Sequence, residues 1–155
     1  MPEPSVLHDT FVIERLFAAS PARVFAAFAD PVRKRRWFAG EASGEFRCDF
    51  RVGGAEFNRS IMGDQTPFPG TPLVSDGVFL DIVTDHRIVM AAAMSLGERR
   101  ISTALTTYEF RATPTGSTML FTHQAAFFEG SDGPQMRRAG WEAILSRLDQ
   151  AVAGE

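Results

Sequence analysis

The chain has 155 residues, which indicates one domain with room for a hydrophobic core that needs neither metal nor disulfides. Its formal charge of −3 argues against a broad basic surface for nucleic acid, and its single cysteine excludes a disulfide framework. That residue, Cys48, stands in an apolar alternation and is interpreted as a small buried hydrophobe. Residues 1–9 show neither a signal peptide nor a membrane span, so we expect a cytoplasmic protein.

A strand is predicted over Thr10–Phe17, followed by two short helices. The pairs Ser20-Pro21 and Asp30-Pro31 mark the helix starts, because the Ser and Asp oxygens can accept bonds from first-turn N–H groups. Proline fits the next position, where its fixed φ suits a helix and its missing N–H costs nothing. The second helix is about two turns long and carries the basic cluster Arg33–Arg36, which is interpreted as a solvated face.

An antiparallel meander is predicted to follow. Its strands are expected at Glu45–Arg51, Ala55–Met62, Val74–Val83, Ile88–Ser95, Arg99–Ala112 and Ser117–Phe127. Between the second and third of these, Gly63–Pro72 is rich in proline and is predicted to be a long loop with Phe68 at its tip. The pattern indicates a strongly twisted sheet that is half wrapped around another element.

The longest predicted strand changes parity along its length. Ile101 and Leu105 would face one side, whereas Tyr108 and Phe110 would face the other. A bulge near Thr106-Thr107 would place all four on one face.

The element inside the sheet is predicted to be a C-terminal helix from Gln135 to a stop at Gly154. Its apolar stripe consists of Met136, Trp141, Ile144, Leu145, Leu148 and Val152. Its other face, with Arg137, Arg138, Glu142 and Arg147 among its members, is interpreted as solvated. Gly140 costs such a helix about 1 kcal/mol relative to Ala. It is either a tolerated defect, a close approach to the sheet, or room above a cavity.

Several short motifs occur together in a fixed order. They are Phe17-x-x-Ser20-Pro21-x-x-Val24-Phe25, Asp30-Pro31 to Trp37-Phe38, Phe50-Arg51-Val52-Gly53-Gly54 with Phe57, Gly77-x-x-Leu80-x-Ile82 to Arg87-Ile88-Val89, Thr122-His123, and Gly140-Trp141 to Leu145-x-x-Leu148. Over Thr10 to Val152 the chain resembles the family named after the activator of the heat-shock-protein-90 ATPase. That family belongs to the START and birch-pollen-allergen superfamily.

The resemblance implies an α+β helix-grip fold, with a curved antiparallel sheet wrapped around the long C-terminal helix as a single domain over residues 1–155. It also implies a cavity between sheet and helix for a small apolar molecule. Two departures from the family pattern bear on that cavity. The proline-rich loop looks longer than usual, and Ala91–Ala93 stands where Thr-Trp is common, which would widen the pocket.

Strand parity and helix spacing select the residues that should face this cavity. Phe28, Leu80, Ile82 and Met119 are expected to face inward. The candidate ligand-binding residues are Phe25, Trp37, Phe46, Phe50, Phe57, Met90, Met94, Tyr108, Phe121, His123, Met136, Trp141 and Leu145. For each of them, plain core packing is the alternative.

Two polar groups could make such a cavity selective. His123 shares parity with Met119 and Phe121, and Tyr108 is the only phenol. A buried His or Tyr needs a hydrogen-bond partner, which a ligand oxygen could provide. A histidine bonded to a backbone carbonyl is the alternative.

Three functions remain open from the sequence. The first is binding of a small hydrophobic or amphipathic ligand, lipid-like, aromatic or polyketide-like. The second is a polyketide cyclase or dehydratase-like enzyme, although the sequence shows no catalytic constellation, metal motif or cofactor motif. The third is a co-chaperone-like protein partner, which is discounted because no additional domain is present.

An exposed edge strand of the sheet could also pair with a second copy of the chain to form a homodimer.

Overall fold

The computed structural model describes residues 3–40 and 43–154. In chain order these residues form β1 (Leu7–Phe17), α1 (Pro21–Ala29), α2 (Pro31–Lys34), a π-helical turn (Arg35–Ala39), β2 (Ser43–Cys48), β3 (Ala55–Ile61), β4 (Pro72–Val83), β5 (Arg87–Leu96), β6 (Arg99–Thr113), β7 (Gly116–Phe127) and α3 (Pro134–Ala153). Within the described part of the chain, no helix is long and apolar enough to cross a bilayer.

The two short helices begin where the capping pairs predict. Ser20 Oγ accepts a bond of 3.3 Å from the Arg23 N–H, and Asp30 Oδ1 accepts one of 2.9 Å from the Val32 N–H. The second helix continues beyond α2 into the π-helical turn, which ends at Gly40 with a φ of 69°. A left-handed φ of this kind suits glycine, which lacks the Cβ that would clash.

The strands form a single seven-stranded antiparallel sheet in the order β1-β7-β6-β5-β4-β3-β2. Helix α3 packs on its inner face, where Leu145 and Leu148 are fully buried and the tilted rings of Trp141 and Phe121 lie 4.7 Å apart. The prediction that Arg147 lies on a solvated face is wrong. Its guanidinium donates to the backbone carbonyls of Trp37 and Phe38 and so connects α3 to the π-helical turn. This is the predicted α+β helix-grip fold.

A bulge in β4 reverses one inward-facing prediction. The pairing with β5 passes from Phe79 to Asp81, so Leu80 is the extra residue. Phe79 is 1% exposed and fills the core, whereas Leu80 is 49% exposed. The prediction that Leu80 faces inward is therefore wrong. Beyond the bulge Ile82 returns to the inner face and packs against the core.

The bulge in β6 exists, but it lies earlier than predicted. Met94 pairs with Ser102 and Ser95 pairs with Arg100, which leaves Ile101 as the extra residue. Ile101 and Ser102 are consecutive and both buried, as a bulge allows. Thr106-Thr107 pair regularly, so a bulge there is excluded.

Phe57 is a second correction of facing. Its neighbour Glu56 is 3% exposed and lies on the inner face, so Phe57 lies on the outer face of β3. There its ring packs beneath the Arg47 guanidinium, 4.6 Å from the ring centroid. The inward prediction for Phe57 relied on its apolar side chain, but the inward position on this strand is occupied by the Glu56 carboxylate.

Candidate ligand-binding site

A cleft of about 260 Å³ lies between α3 and the middle of the sheet. The sheet supplies one wall, with the side chains of Asn58, Leu73, Ser75, Met94, Leu96 and Ile101. Its lining is mostly apolar, which suits a hydrophobic ligand with few polar groups. The bulge in β6 contributes to this wall, because it turns Ile101 inward beside Ser102.

The opposite wall is one stripe of helix α3. Met136, Gly140 and Ile144 follow each other at four-residue spacing and all line the cleft, as does Trp141. A Cβ built on Gly140 would meet no heavy atom within 4 Å. Gly140 is exposed and makes no close approach to the sheet, and its missing side chain leaves space along this side of the cleft.

The proline-rich loop forms the outer side of the cleft. Phe68 of this loop and Met62 just before it line the cleft, and Phe68 remains 37% exposed. The loop base is closed by backbone bonds between Met62 and residues Gly70 and Thr71. This loop therefore lies at the opening, between solvent and the apolar wall.

A smaller inner chamber of about 40 Å³ adjoins the cleft. Both spaces share Phe38, Ser75, Met94, Arg137 and Trp141 in their linings. The chamber is the more polar of the two, because its own lining adds Glu56, Ser102, Thr106 and His123. Ala92 also borders it, at the position where the resemblance predicts a wider pocket.

A buried ion pair lies at one side of the inner chamber. Lys34 Nζ is 3.2 Å from Glu56 Oε2, and the two residues are 1% and 3% exposed. The ammonium also lies 4.8 to 5.2 Å from the ring centroids of Phe28, Trp37 and Phe38. The sequence interpretation of Lys34 as part of a solvated basic face is therefore wrong. Attraction to the aromatic faces helps to offset the loss of water around the ammonium.

The second buried charge is Arg137, which was also predicted to be solvated. Its guanidinium makes two bonds of 2.8 Å to the Asp132 carboxylate and one of 2.9 Å to Ser102 Oγ. Burial alone would raise the pKa of Asp132, but the bonds and charge of Arg137 outweigh burial and lower it. The inner chamber is thus flanked by two compensated charge pairs.

His123 points into the inner chamber from β7, as its parity predicts. Its ring stacks on Phe11 at 4.6 Å and is 1% exposed. Burial, together with the nearby Arg137 charge, lowers the pKa of His123 from 6.5 to about 4, so the ring is neutral at pH 7. Its Nδ1 has no hydrogen-bond partner among the described residues. The alternative, a bond to a backbone carbonyl, is therefore not made by Nδ1.

Tyr108 and Cys48 are two further polar side chains that do not line the chamber, the first buried and the second half-buried. Burial raises the pKa of the Tyr108 phenol well above its usual value, and its hydroxyl finds no partner within the described part of the chain. Cys48 is half-buried rather than fully buried. Burial, and then the Glu56 charge, raise the pKa of its thiol to about 12, so it is a poor nucleophile.

The structure divides the predicted site residues into three groups. Met94, Met136 and Trp141 line the cleft, and Met90, Met94, His123 and Trp141 line the inner chamber. The others on the inner side pack within the core or against aromatic neighbours and border neither space: Phe25, Trp37, Phe46, Phe50, Tyr108, Phe121 and Leu145. Phe57, on the outer face, is excluded from the site.

The sequence analysis identified His123 but missed the charged residues of the site, although each of them left some signal. Lys34 stands three and four residues before Trp37 and Phe38, a spacing that places all three on one helix face. Arg137 stands four residues before Trp141 and shares its side of α3 in the same way. For Glu56 the only signal was its alternation with Asn58, a residue with no apolar character.

The arrangement can hold a ligand and supply hydrogen bonds to it. Among residues 3–40 and 43–154, no three His, Cys, Asp or Glu side chains are placed to hold a metal ion. Glu56 and His123 line the same small chamber, so a carboxylate and a neutral imidazole face one enclosed space.

Comparisons with known proteins give the family. The family model described as Activator of Hsp90 ATPase homolog 1-like protein matches residues 18–153. A search of curated proteins finds no match. Among solved structures, a protein from Rhizobium leguminosarum is 41% identical over 97% of this chain and 98% of its own, with a TM-score of 0.90.

Two further solved structures extend this comparison. A protein from Rhizobium loti is 40% identical over 96% of this chain and 99% of its own, with a TM-score of 0.87. One from Chromobacterium violaceum is 23% identical over 92% of this chain and 96% of its own, with a TM-score of 0.72, and shows the fold alone. The chain therefore belongs to the family of activator of Hsp90 ATPase homologue 1-like proteins, within the START and birch-pollen-allergen superfamily.

Proposed function

We propose that this protein binds a small hydrophobic or amphipathic molecule in the cleft between the sheet and α3. The observation that carries the proposal is the apolar cleft with a polar chamber at its side. An apolar pocket with a few convergent polar groups is the usual form of a small-molecule site. The volume of about 260 Å³ lies at the small end for such sites, which favours a compact ligand or a single short chain.

The glycine in the helical wall supports the same proposal. Gly140 lies on the stripe that faces the cleft, in a helix where Ala would be more stable. A larger residue would project into the cleft, since nothing occupies the space around a Cβ at this position. The absence of a side chain keeps the cleft open at a cost to the helix.

Native mass spectrometry of the purified protein, followed by extraction and identification of retained molecules, tests this proposal. We expect a retained apolar molecule, or binding of one from a panel of fatty alcohols, sterols and aromatics. Gly140→Leu should abolish this binding by filling the cleft. Ala139→Leu is the matched control, because it adds the same side chain at the exposed neighbouring position. Equal binding by both variants would place the ligand elsewhere, and no binding by the wild type would count against the function.

Acid–base catalysis on the bound molecule is a second candidate. It is favoured because Glu56 and His123 line the same chamber, which places two titratable groups beside a ligand. Incubation of the identified ligand with the protein should then yield a product of changed mass. Its formation should stop in His123→Phe. A ligand recovered unchanged after long incubation would leave binding as the function.

A further inference from the structure

The charges around the inner chamber compensate one another. Lys34 pairs with Glu56, and Arg137 pairs with Asp132, so each buried cation has one carboxylate. His123, the remaining ionisable group in the lining, is neutral at pH 7. The surroundings of the chamber therefore carry no net charge.

Two polar atoms of the lining still lack hydrogen bonds. Glu56 Oε2 lies near Lys34 Nζ but accepts no hydrogen bond, and His123 Nδ1 has no partner either, as judged over the described residues. Both residues are at least 97% buried. Buried polar atoms are normally bonded, so these two mark the place where another molecule would supply the bonds.

We propose that the ligand is an amphiphile whose polar end is uncharged, such as a hydroxyl group, and that this end lies in the inner chamber. The hydroxyl donates its proton to Glu56 Oε2 and its oxygen accepts a bond from the protonated Nδ1 of the neutral His123 ring, while the apolar part lies in the cleft beside Met94 and Trp141. This inference rests on the proposed function and adds the chemical class of the ligand.

Ionic end groups fit this chamber poorly. A carboxylate would face Glu56 without a free cation, because Lys34 and Arg137 already have their partners. An ammonium group would likewise add a cation beside Arg137. A charge buried without a partner is strongly unfavourable, whereas an uncharged donor removes an unsatisfied acceptor.

A series of eight-carbon probes tests the inference by calorimetric titration at pH 7.5. The probes are octanol, octanoate and octylammonium, which share the apolar chain and differ in the charge of the polar end. We expect the wild type to bind octanol most tightly, by about tenfold or more, because either ion adds an unpaired charge.

Charge removal should then change this preference in a defined direction. Glu56→Gln leaves Lys34 without its carboxylate and gives the chamber a net positive charge, so the affinity ratio of octanoate to octanol should rise by about tenfold. Comparing ratios between proteins cancels the different hydration of the probes. Glu142→Gln is the matched control, since it removes an exposed carboxylate from α3 and changes the overall charge equally. Its ratio should equal that of the wild type.

The outcomes separate this inference from the proposed function. If all three probes bind the wild type equally, or if octanoate binds best, the uncharged-end inference is overturned while ligand binding stands. If none of them binds, the proposed function fails for this ligand class and the inference fails with it.

A second variant keeps the test decisive if Glu56→Gln does not fold. His123→Phe retains the ring stack on Phe11 and introduces no charge. It should lower the affinity for octanol relative to chlorooctane, which has no hydroxyl, by about fivefold through the loss of one hydrogen bond. An unchanged ratio would remove His123 from the binding of the polar end and overturn the inference.

Discussion

The lowered pKa of His123 predicts a specific acid sensitivity of the fold. In the folded chain this pKa is about 4, against an ordinary value of 6.5, because burial and Arg137 both oppose the imidazolium form. Between these two values the unfolded chain binds a proton that the folded chain does not. The contribution of His123 to stability is therefore complete above about pH 6.5 and is lost as the pH falls toward 4.

The size of the effect follows from the two pKa values. Relative to pH 7, proton binding to the unfolded chain should lower the free energy of unfolding by about 1.2 kcal/mol at pH 5.5 and about 2.5 kcal/mol at pH 4.5. The folded chain begins to take up the same proton only near pH 4, where the loss levels off.

Denaturant unfolding at pH 7, 5.5 and 4.5 measures this loss when the wild type is compared with His123→Phe. The variant keeps the ring stack on Phe11 but cannot titrate, and the remaining ionisable groups are the same in both proteins. We expect the wild type to lose about 2.5 kcal/mol more than the variant on going from pH 7 to pH 4.5. At pH 7 the variant should be at least as stable, because it removes an unbonded buried nitrogen. Parallel pH profiles for the two proteins would refute the reasoning.

Three further changes test the packing around the site by denaturant unfolding. Trp141→Ala should cost about 3 kcal/mol, at the low end for a core aromatic because the ring borders two open spaces; a loss below about 1 kcal/mol would mean that α3 does not grip the sheet through this residue. Lys34→Met should cost about 3–5 kcal/mol because it strands the Glu56 carboxylate, whereas Lys34→Met combined with Glu56→Leu should recover most of that loss. Failure of the double variant to recover would show that the pair is not the source of the effect. Gly140→Ala should raise the free energy of unfolding by about 1 kcal/mol, since its Cβ meets open space; a decrease would reveal a contact on that side of α3.

Local signals in the sequence were sufficient for the elements and their order. The caps at Ser20 and Asp30 act within one helical turn, and the alternation of each strand reports which side is buried. The same reasoning placed His123 on the inner face, because β7 pairs regularly with both of its neighbours. Where strand pairing is regular, side chains alternate between the two faces, so knowing the face of one residue predicts the face of every other residue in the strand.

The inner chamber could not be predicted in this way, for two physical reasons. A bulge inserts one residue and inverts facing from there on, and the position of the bulges at Leu80 and Ile101 depends on contacts with the neighbouring strand. The second reason is charge. Lys34 and Glu56 are distant in sequence and are buried only because the fold brings them together, whereas a single charged residue read alone predicts solvent exposure.

The order of strands in the sheet has a consequence for how the protein folds. Strands β2 to β6 each pair with the next strand in the chain, so these pairs close short loops. β1 is different, because its partner is β7, with Phe17 opposite Ser117 and Leu7 opposite Phe127. Pairing of these two strands must close a loop of about a hundred residues, the costliest closure in the sheet. We therefore expect β1 to join last.

Late docking of β1 would also delay the contacts between β1 and helix α3. Arg138 of α3 donates to the Val12 carbonyl, and Arg15 of β1 donates to the Glu142 carbonyl, so strand and helix hold each other in place. Phe11 of the same strand supplies the ring on which His123 stacks. Until β1 is in place, His123 lacks the ring on which it stacks, so we expect the polar end of the site to be among the last parts of the molecule to form.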